Sequence, residues 1–273
     1  MNQETSETIQ RKPINKGLVI SLLVLVGLLF GLWLWLTPTG FWAKLNAVGY
    51  SVCHQMTERS FVLGEHQSPL CARCAGMYLG ALVTVIAHWF WGRQGKLPPL
   101  WINILLGLGF LAFAMDGLNS AINFLPFMPS LYQTTNLTRL ITGTMVGLGI
   151  GSILMPIFNQ TVWSNWTSNS AFDKAYRFPL IVAILSLVGV AVYSQKPIFF
   201  YPFNILMSLS VLLILWLIHS TLASFILRRS NQASHWRDLF LPGLLGLAMM
   251  MVQIGLISLA RYLMTGTWAP ILF

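Results

Sequence analysis

The sequence has few charged residues and even fewer acidic ones. Of its 273 residues, 8% are charged and 56% are hydrophobic, whereas a typical soluble domain has about 25% charged residues. This composition excludes a soluble α/β domain and indicates a protein with several membrane spans. Lys and Arg number 16 against 7 Asp and Glu. The basic residues are spread over short loops rather than gathered in one patch, so no nucleic-acid partner is expected.

A signal-peptide cleavage site, a long linker and an internal repeat are also missing. Because no small-x-small site follows the first apolar run, residues 17–36 are predicted to be a retained anchor helix. The polar residues 1–16 before it are predicted to be a disordered cytoplasmic segment.

What the sequence does have is long apolar runs, which predict an all-α polytopic membrane protein. A helical span needs about 20 apolar residues, and its backbone groups must be paired within the helix. About seven transmembrane helices are predicted, at 17–36, 75–91, 99–116, 137–157, 178–194, 203–227 and 239–260. Two further regions follow the anchor: residues 37–157, with a Cys/His hairpin and three spans, and a C-terminal three-span region, residues 158–273.

The distribution of basic residues predicts the orientation of these spans. With a cytoplasmic N-terminus, ten of the 16 Lys and Arg fall on the cytoplasmic side, as the positive-inside rule favours. The other six are Lys44, Arg59, Arg73, Arg139, Lys196 and Arg261. The C-terminus and the segment between the first two spans are therefore predicted on the non-cytoplasmic side, where disulfides are permitted.

All three cysteines lie in that segment, within SVCHQMTERSFVLGEHQSPLCARCAG (residues 51–76). Cys71 and Cys74 have C-x-x-C spacing and immediately precede the second span. Residues three apart share one face of a helix, and the partial positive charge of a helix N-terminus stabilises thiolate. We therefore predict that both sulfurs point the same way at the start of this helix.

A second pair, Cys53 and His54, lies 18 and 17 residues before Cys71. A hairpin with turns at Gly64 and Pro69 would return this pair to the C-x-x-C. The resulting Cys₃His set matches a tetrahedral zinc site, with His66 as an alternative fourth ligand. The odd number of cysteines favours a metal over a simple disulfide. A disulfide, a thiol-redox pair and inert packing are the other interpretations.

Polar residues also meet near the outer ends of the third and fourth spans. One helix face of the third span carries Asp116, Asn119, Ser120 and Asn123. A carboxylate at a membrane boundary is costly unless it is paired, and Arg139 of the fourth span is predicted on the same side. The two can form a structural ion pair, or a polar pocket for an anionic or hydrogen-bonding group. In the second case, Arg59 and Arg73 would add guanidinium groups.

Small residues predict which spans pack together. Gly143, Gly147 and Gly151 repeat every four residues in the fourth span, after Arg139. The second span has its own small stripe of Gly76, Gly80 and Thr84. Because small residues let helix backbones approach closely, these two spans are predicted to be neighbours.

The quoted segment resembles the hallmark of a family of uncharacterised prokaryotic membrane proteins. The matching residues are Cys53, His54, Gln55, Arg59, Ser60, Phe61, Pro69, Cys71, Arg73, Cys74, Gly76, Tyr78 and Gly80. A second block matches at Asp116, Gly117, Arg139, Thr142 and Gly143. The resemblance covers roughly residues 50–150 and favours His54 over His66. It implies a prokaryotic inner, plasma or internal membrane and no established activity.

Three functions are compatible with these residues. In the first, a zinc site held by Cys53, His54, Cys71 and Cys74 shapes a pocket for a lipid or lipid-linked substrate. Its substrate-binding residues would be Arg59, Arg73, Asp116, Asn119 and Arg139, with Asp116 and Arg139 as the catalytic candidates. The second is a quinone-linked thiol–disulfide oxidoreductase. The third is a non-enzymatic assembly or accessory subunit of a membrane complex.

Overall fold

A computed structural model describes residues 16–122 and 131–270. The predicted disordered segment, apart from Lys16, and the predicted site residue Asn123 lie outside these ranges. The described helices are α1 (Lys16–Leu36), α2 (Phe41–Tyr50), α3 (Ala72–Trp91), α4 (Leu100–Ile122), α5 (Asn136–Val162), α6 (Arg177–Tyr193), α7 (Pro197–Ile226) and α8 (Phe240–Thr265).

The prediction of a polytopic helical membrane protein is confirmed. Among the described residues, six helices are long and apolar enough to cross a membrane: α1, α3, α4, α5, α7, and α8 together with the short turn that precedes it. The seventh predicted span corresponds to α6, which is apolar but has only 17 residues. The count of seven and the orientation of the termini therefore stay predictions.

Two small strand pairs connect the helices. Strands β1 (Ser60–Leu63) and β2 (His66–Cys71) form the antiparallel hairpin expected between the first two spans. Its turn contains Gly64, whose φ of 59° suits a glycine. Pro69 lies inside β2 and not at a turn. The parallel pair of β3 (Gln94–Lys96) and β4 (Thr167–Ser170), at the other end of the bundle, was not predicted.

The hairpin, α2 and several helix ends lie together at what we call the cysteine end of the bundle. Trp42 of α2 donates to the carbonyl of Gln67 at 3.1 Å and stacks on Phe200 of α7. Tyr50 of α2 donates to the carbonyl of Thr267, just after α8, at 2.8 Å. Helix α2 therefore connects the short hairpin to the start of α7 and to the end of α8.

The close packing of the second and fourth predicted spans is confirmed between α3 and α5. A Cβ atom at Gly80 would lie 2.8 Å from the carbonyl oxygen of Thr144 and 3.2 Å from Cα of Gly147. A Cβ atom at Gly147 would lie 2.8 Å from the amide nitrogen of Ala81. The two backbones are in contact because glycine occupies these positions. This seam fixes the start of α5 beside the start of α3.

Candidate functional site

The described residues bring all three cysteines together at the start of α3. The sulfur atoms of Cys53, Cys71 and Cys74 lie within 4.8 Å of one another, and all three are free thiols. Cys71 immediately precedes α3, Cys74 is its third residue, and Cys53 lies before β1. In a tetrahedral zinc site with Zn–S distances of about 2.3 Å, sulfurs are about 3.8 Å apart. The donor set therefore fits a thiophilic divalent metal after a small contraction.

Backbone hydrogen bonds hold Cys53 in this arrangement. Its sulfur accepts from the N–H of Cys71 at 3.2 Å and from the N–H of Gln55 at 3.4 Å. The side chain of Gln55 donates to the carbonyls of Asn46 at 2.8 Å and Pro69 at 2.9 Å. Gln55 has a φ of 59°, an uncommon value for a residue other than glycine. The chain thus turns back sharply after Cys53, and Gln55 fastens that turn to α2 and β2.

Burial and hydrogen bonds within the cluster shift the pKa values of Cys53 and Cys71 in opposite directions. A hydrogen bond with Cys71, together with burial, raises the pKa of Cys53 to about 12. Hydrogen bonds from the thiols of Cys53 and Cys74 lower the pKa of Cys71 well below its ordinary value. Within the group, Cys71 is the cysteine whose thiolate form is favoured, and its 3% exposure leaves it almost no contact with solvent.

The two candidate histidines have different surroundings. Nδ1 of His54 lies 3.9 Å from the sulfur of Cys53 and accepts from the N–H of Met56 at 3.3 Å. Burial lowers the pKa of His54, which favours its neutral form. His66 contacts the rings of Trp42 and Tyr201 instead. Because the group of ligand atoms within 4.8 Å contains the three cysteines alone, His54 borders the cluster without completing it.

Arg261 of α8 contacts the segment around Cys53, a contact that sequence reasoning missed. Its guanidinium donates to the carbonyls of Tyr50 at 2.9 Å, His54 at 3.1 Å and Cys53, and lies 3.8 Å from the ring centroid of Tyr50. These contacts fix the backbone on both sides of Cys53. No local pattern could have revealed them, because Arg261 lies 208 residues from Cys53 along the chain.

Asp116 is paired across α3 and α4. It accepts from Arg73 in a partly buried ion pair and from the hydroxyl of Tyr132 at 3.0 Å. Its side chain is 1% exposed, so these contacts offset the cost of burying a carboxylate. The ion pair considered between Asp116 and Arg139 is not present; Arg73, one residue before Cys74, takes that place. Asp116 therefore links α4 directly to the helix that carries the C-x-x-C motif.

Three arginines surround the oxygens of Ser120 and Thr134. Arg59 donates to the carbonyl of Ser120 at 3.1 Å, and Arg73 donates to its hydroxyl at 3.2 Å. The Ser120 hydroxyl lies 3.0 Å from that of Thr134, which accepts from Arg139 at 2.6 Å. Burial and the nearby Arg73 lower the pKa of Arg59. We call Arg59, Arg73 and Arg139, together with Ser120 and Thr134, the arginine cluster.

Asn119 binds the backbone of the segment beside the arginine cluster. Its amide accepts from the N–H of Leu131 at 2.8 Å and donates to the carbonyl of Tyr132 at 2.8 Å. These bonds order the segment that carries Tyr132 and Thr134. The structure thus brings Arg59, Arg73, Asp116, Asn119 and Arg139 into one polar region, but gives them different partners.

An apolar groove of about 810 Å³ lies between α4, α5 and α6. It extends along α6 from Phe178 to Ser194, roughly 24 Å at 1.5 Å per residue, and its lining has no charged residue. At the cysteine end, the lining residue Tyr193 contacts the ring of Phe61 in β1. Arg139 and the lining residue Leu148 are nine residues apart and lie on opposite faces of α5. The groove and the arginine cluster are therefore separate, with β1 bordering both.

The fold and this site define a helical integral membrane protein with a three-cysteine cluster at one end of its bundle. Residues 53–153 match the model of the family described as "Predicted membrane protein (DUF2085)". An uncharacterised protein of Methanocaldococcus jannaschii is 31% identical over 160 residues, covering 53% of this chain and 96% of that protein. An uncharacterised protein of Methanothermobacter thermautotrophicus is 25% identical over 99 residues, covering 36% of this chain and 80% of that protein.

The chain therefore belongs to this family of predicted membrane proteins, which confirms the resemblance seen in the sequence. No solved structure is significantly similar to it. The matched residues 53–153 include all three cysteines and the arginine cluster, whereas Arg261 lies outside them.

Proposed function

We propose that Cys53, Cys71 and Cys74 hold a zinc-type metal ion, and that the hairpin ordered by this metal forms part of a binding site for a lipid or lipid-linked substrate. The observation that carries the proposal is the convergence of three free thiols within 4.8 Å at the base of this hairpin. We propose His54 as the fourth ligand of the metal, because its Nδ1 lies 3.9 Å from the sulfur of Cys53. A rotation of its ring would be needed for this.

Strand β1 supports the second half of the proposal, because it connects the metal site to both candidate binding surfaces. Ser60 pairs with Cys71 in the hairpin. Arg59, on one side of Ser60, contacts Ser120 in the arginine cluster. Phe61, on its other side, contacts Tyr193 at the end of the apolar groove. A metal bound to Cys71 would therefore also hold in place the strand that lies between the polar arginine cluster and the apolar groove. A lipid needs both kinds of surface, a polar one for its headgroup and an apolar one for its chains.

We also propose that the cysteine end is the non-cytoplasmic end. Of the six basic residues assigned to that side, five are engaged by the protein itself. Lys44, for example, donates to the carbonyl of Thr37 at 3.0 Å and to its hydroxyl at 2.6 Å. Arg59, Arg73, Arg139 and Arg261 have the contacts described above. Lys196 is the exposed exception. Because the other five have partners within the protein, the excess of basic residues on the cytoplasmic side is stronger evidence for the orientation than the count of ten against six suggests.

Metal content and thiol state, measured in one native preparation of the full chain, test the metal site. We expect close to one equivalent of metal, thiols that resist alkylation until a chelator is added, and loss of metal in Cys53→Ser, Cys71→Ser and Cys74→Ser. A disulfide that becomes alkylatable only after reduction would instead support the thiol–disulfide oxidoreductase. Three thiols that react freely without chelator or reductant would contradict both functions.

A pair of glycine variants tests the lipid site. A Cβ atom at Gly189, in the groove, and one at Gly255, on the exposed face of α8, would each meet no atom within 4 Å. Gly189→Leu should therefore fill the groove without disturbing the fold, and Gly255→Leu is its matched control. We expect native mass spectrometry to find less co-purified lipid in Gly189→Leu alone. Equal lipid retention in both variants would contradict a lipid chain in the groove.

A further inference from the structure

Arg139 has an unusual environment for a charged residue at a membrane boundary. It is 8% exposed, and among residues 16–122 and 131–270 it has no carboxylate partner. Its guanidinium donates to the amide oxygen of Asn136 at 3.0 Å and to the hydroxyl of Thr134 at 2.6 Å, and its Nε has no acceptor. A buried cation that is not paired is costly and is a functional-site hypothesis by default. Arg139 is therefore short of negative charge.

The other two arginines aim at the same place. Arg59 and Arg73 reach the carbonyl and hydroxyl of Ser120, and this hydroxyl lies 3.0 Å from the Thr134 hydroxyl that binds Arg139. Three guanidinium groups thus meet around three neutral oxygens, the carbonyl and hydroxyl of Ser120 and the hydroxyl of Thr134. Of the three arginines, Asp116 forms an ion pair with Arg73 only. The Nε of Arg73, like that of Arg139, is buried without an acceptor.

We infer that the arginine cluster binds the phosphate group of a phosphomonoester or of free phosphate. A phosphate presents three oxygens to three guanidinium forks, whereas a carboxylate presents two, and arginine is suited to phosphate because its planar fork can bond two oxygens at once. The phosphate would supply the acceptors and the negative charge that Arg139 lacks. The hydroxyls of Ser120 and Thr134 can rotate to donate to it.

This inference deepens the proposed function by naming the chemical class of its polar group, and it rests on that function for the lipid context. Two sources of the phosphate are distinguishable. Inorganic phosphate would reach the arginine cluster from solution. A lipid phosphomonoester such as phosphatidic acid would present the same group at the membrane surface, with its hydrocarbon chains beside the protein.

Binding measurements on the metal-loaded full chain test the inference. The probes are inorganic phosphate in solution, and phosphatidylcholine nanodiscs with or without phosphatidic acid. We expect saturable binding of at least one of these phosphates, weakened about tenfold or more in Arg139→Gln and in Arg59→Gln, since a charged hydrogen bond contributes roughly 1.5–3 kcal/mol. Arg59 is only half-buried, so its variant should fold even if Arg139→Gln does not. Lys196→Gln, an exposed cation at the same end, is the control.

The binding results identify the source of the phosphate and test the inference. Binding of inorganic phosphate assigns a soluble source, and binding of phosphatidic acid alone assigns a lipid source. Phosphate affinity that is the same in wild type, Arg59→Gln and Arg139→Gln, or no phosphate binding at all, would overturn the inference. If these variants still bind metal, the phosphate inference would be wrong while the proposed metal site would remain supported. Phosphate binding without any metal would instead overturn the proposed function alone.

Discussion

Replacement of Arg261 by methionine should weaken metal binding at a site that Arg261 does not itself coordinate. The variant keeps an alkyl stem beside Tyr50 but leaves the carbonyls of Tyr50, Cys53 and His54 without their donor. A buried acceptor without a partner costs about 1–3 kcal/mol, so three of them cost about 3 kcal/mol at the lower limit. The segment around Cys53 should respond by losing its fixed conformation.

The metal then has to order that segment when it binds. Removal of a residue that orients metal ligands typically lowers metal affinity about 10–100-fold, which corresponds to about 1.4–2.7 kcal/mol. This loss is smaller than the cost of about 3 kcal/mol for the three unpaired carbonyls. Competition with a chromophoric chelator at fixed pH measures the metal dissociation constant directly. Arg261→Lys, which retains the charge and part of the donor set, should give an intermediate value.

Arg177 provides a matched control at the opposite end of the bundle. It is also buried, donates to a carbonyl, that of Ala171 at 2.8 Å, and lies over an aromatic ring, that of Trp91. Arg177→Met should lower thermal stability and leave metal affinity unchanged. If folded Arg261→Met binds metal as tightly as wild type, then Arg261 does not position the cysteine site and the reasoning is refuted.

Two further substitutions test the packing and the charge balance. Gly147→Ala inserts a methyl group against the backbone of α3, so it should lower the free energy of unfolding by about 1–3 kcal/mol in a thermal or denaturant titration in detergent. The control Gly255→Ala should be neutral or slightly stabilising, and equal effects would contradict the close seam. Asp116→Asn removes the carboxylate that occupies Arg73. It should destabilise the fold yet strengthen phosphate binding in calorimetry, and weaker binding in folded protein would contradict competition between Asp116 and phosphate.

The sequence predicted those parts of the site that depend on local spacing. C-x-x-C at the start of an apolar run placed Cys71 and Cys74 on a helix N-terminus, and the hairpin returned Cys53 to them. The four-residue repeat of Gly143, Gly147 and Gly151 predicted the seam with α3, because only one face of a helix can carry such a repeat.

The missing parts depend on contacts between distant segments. Arg73 rather than Arg139 pairs with Asp116, because the long Arg73 side chain reaches from the start of α3 to α4. Arg261 and the pair of β3 with β4 carry no periodic signal, since one is a single residue and the strands have three and four residues. The position of His54 beside the sulfurs and not among them follows from the turn at Gln55, whose positive φ the sequence does not reveal.

The proposed metal site requires Cys53, Cys71 and Cys74 to be ligands of one metal ion. X-ray absorption spectroscopy of the purified full chain tests it most directly, because it counts the ligands of a bound metal by type and distance. We expect a shell of three sulfurs at about 2.3 Å and one nitrogen or oxygen at about 2.0–2.1 Å. A metal without sulfur ligands, or no bound metal together with a disulfide among the three cysteines, would contradict it.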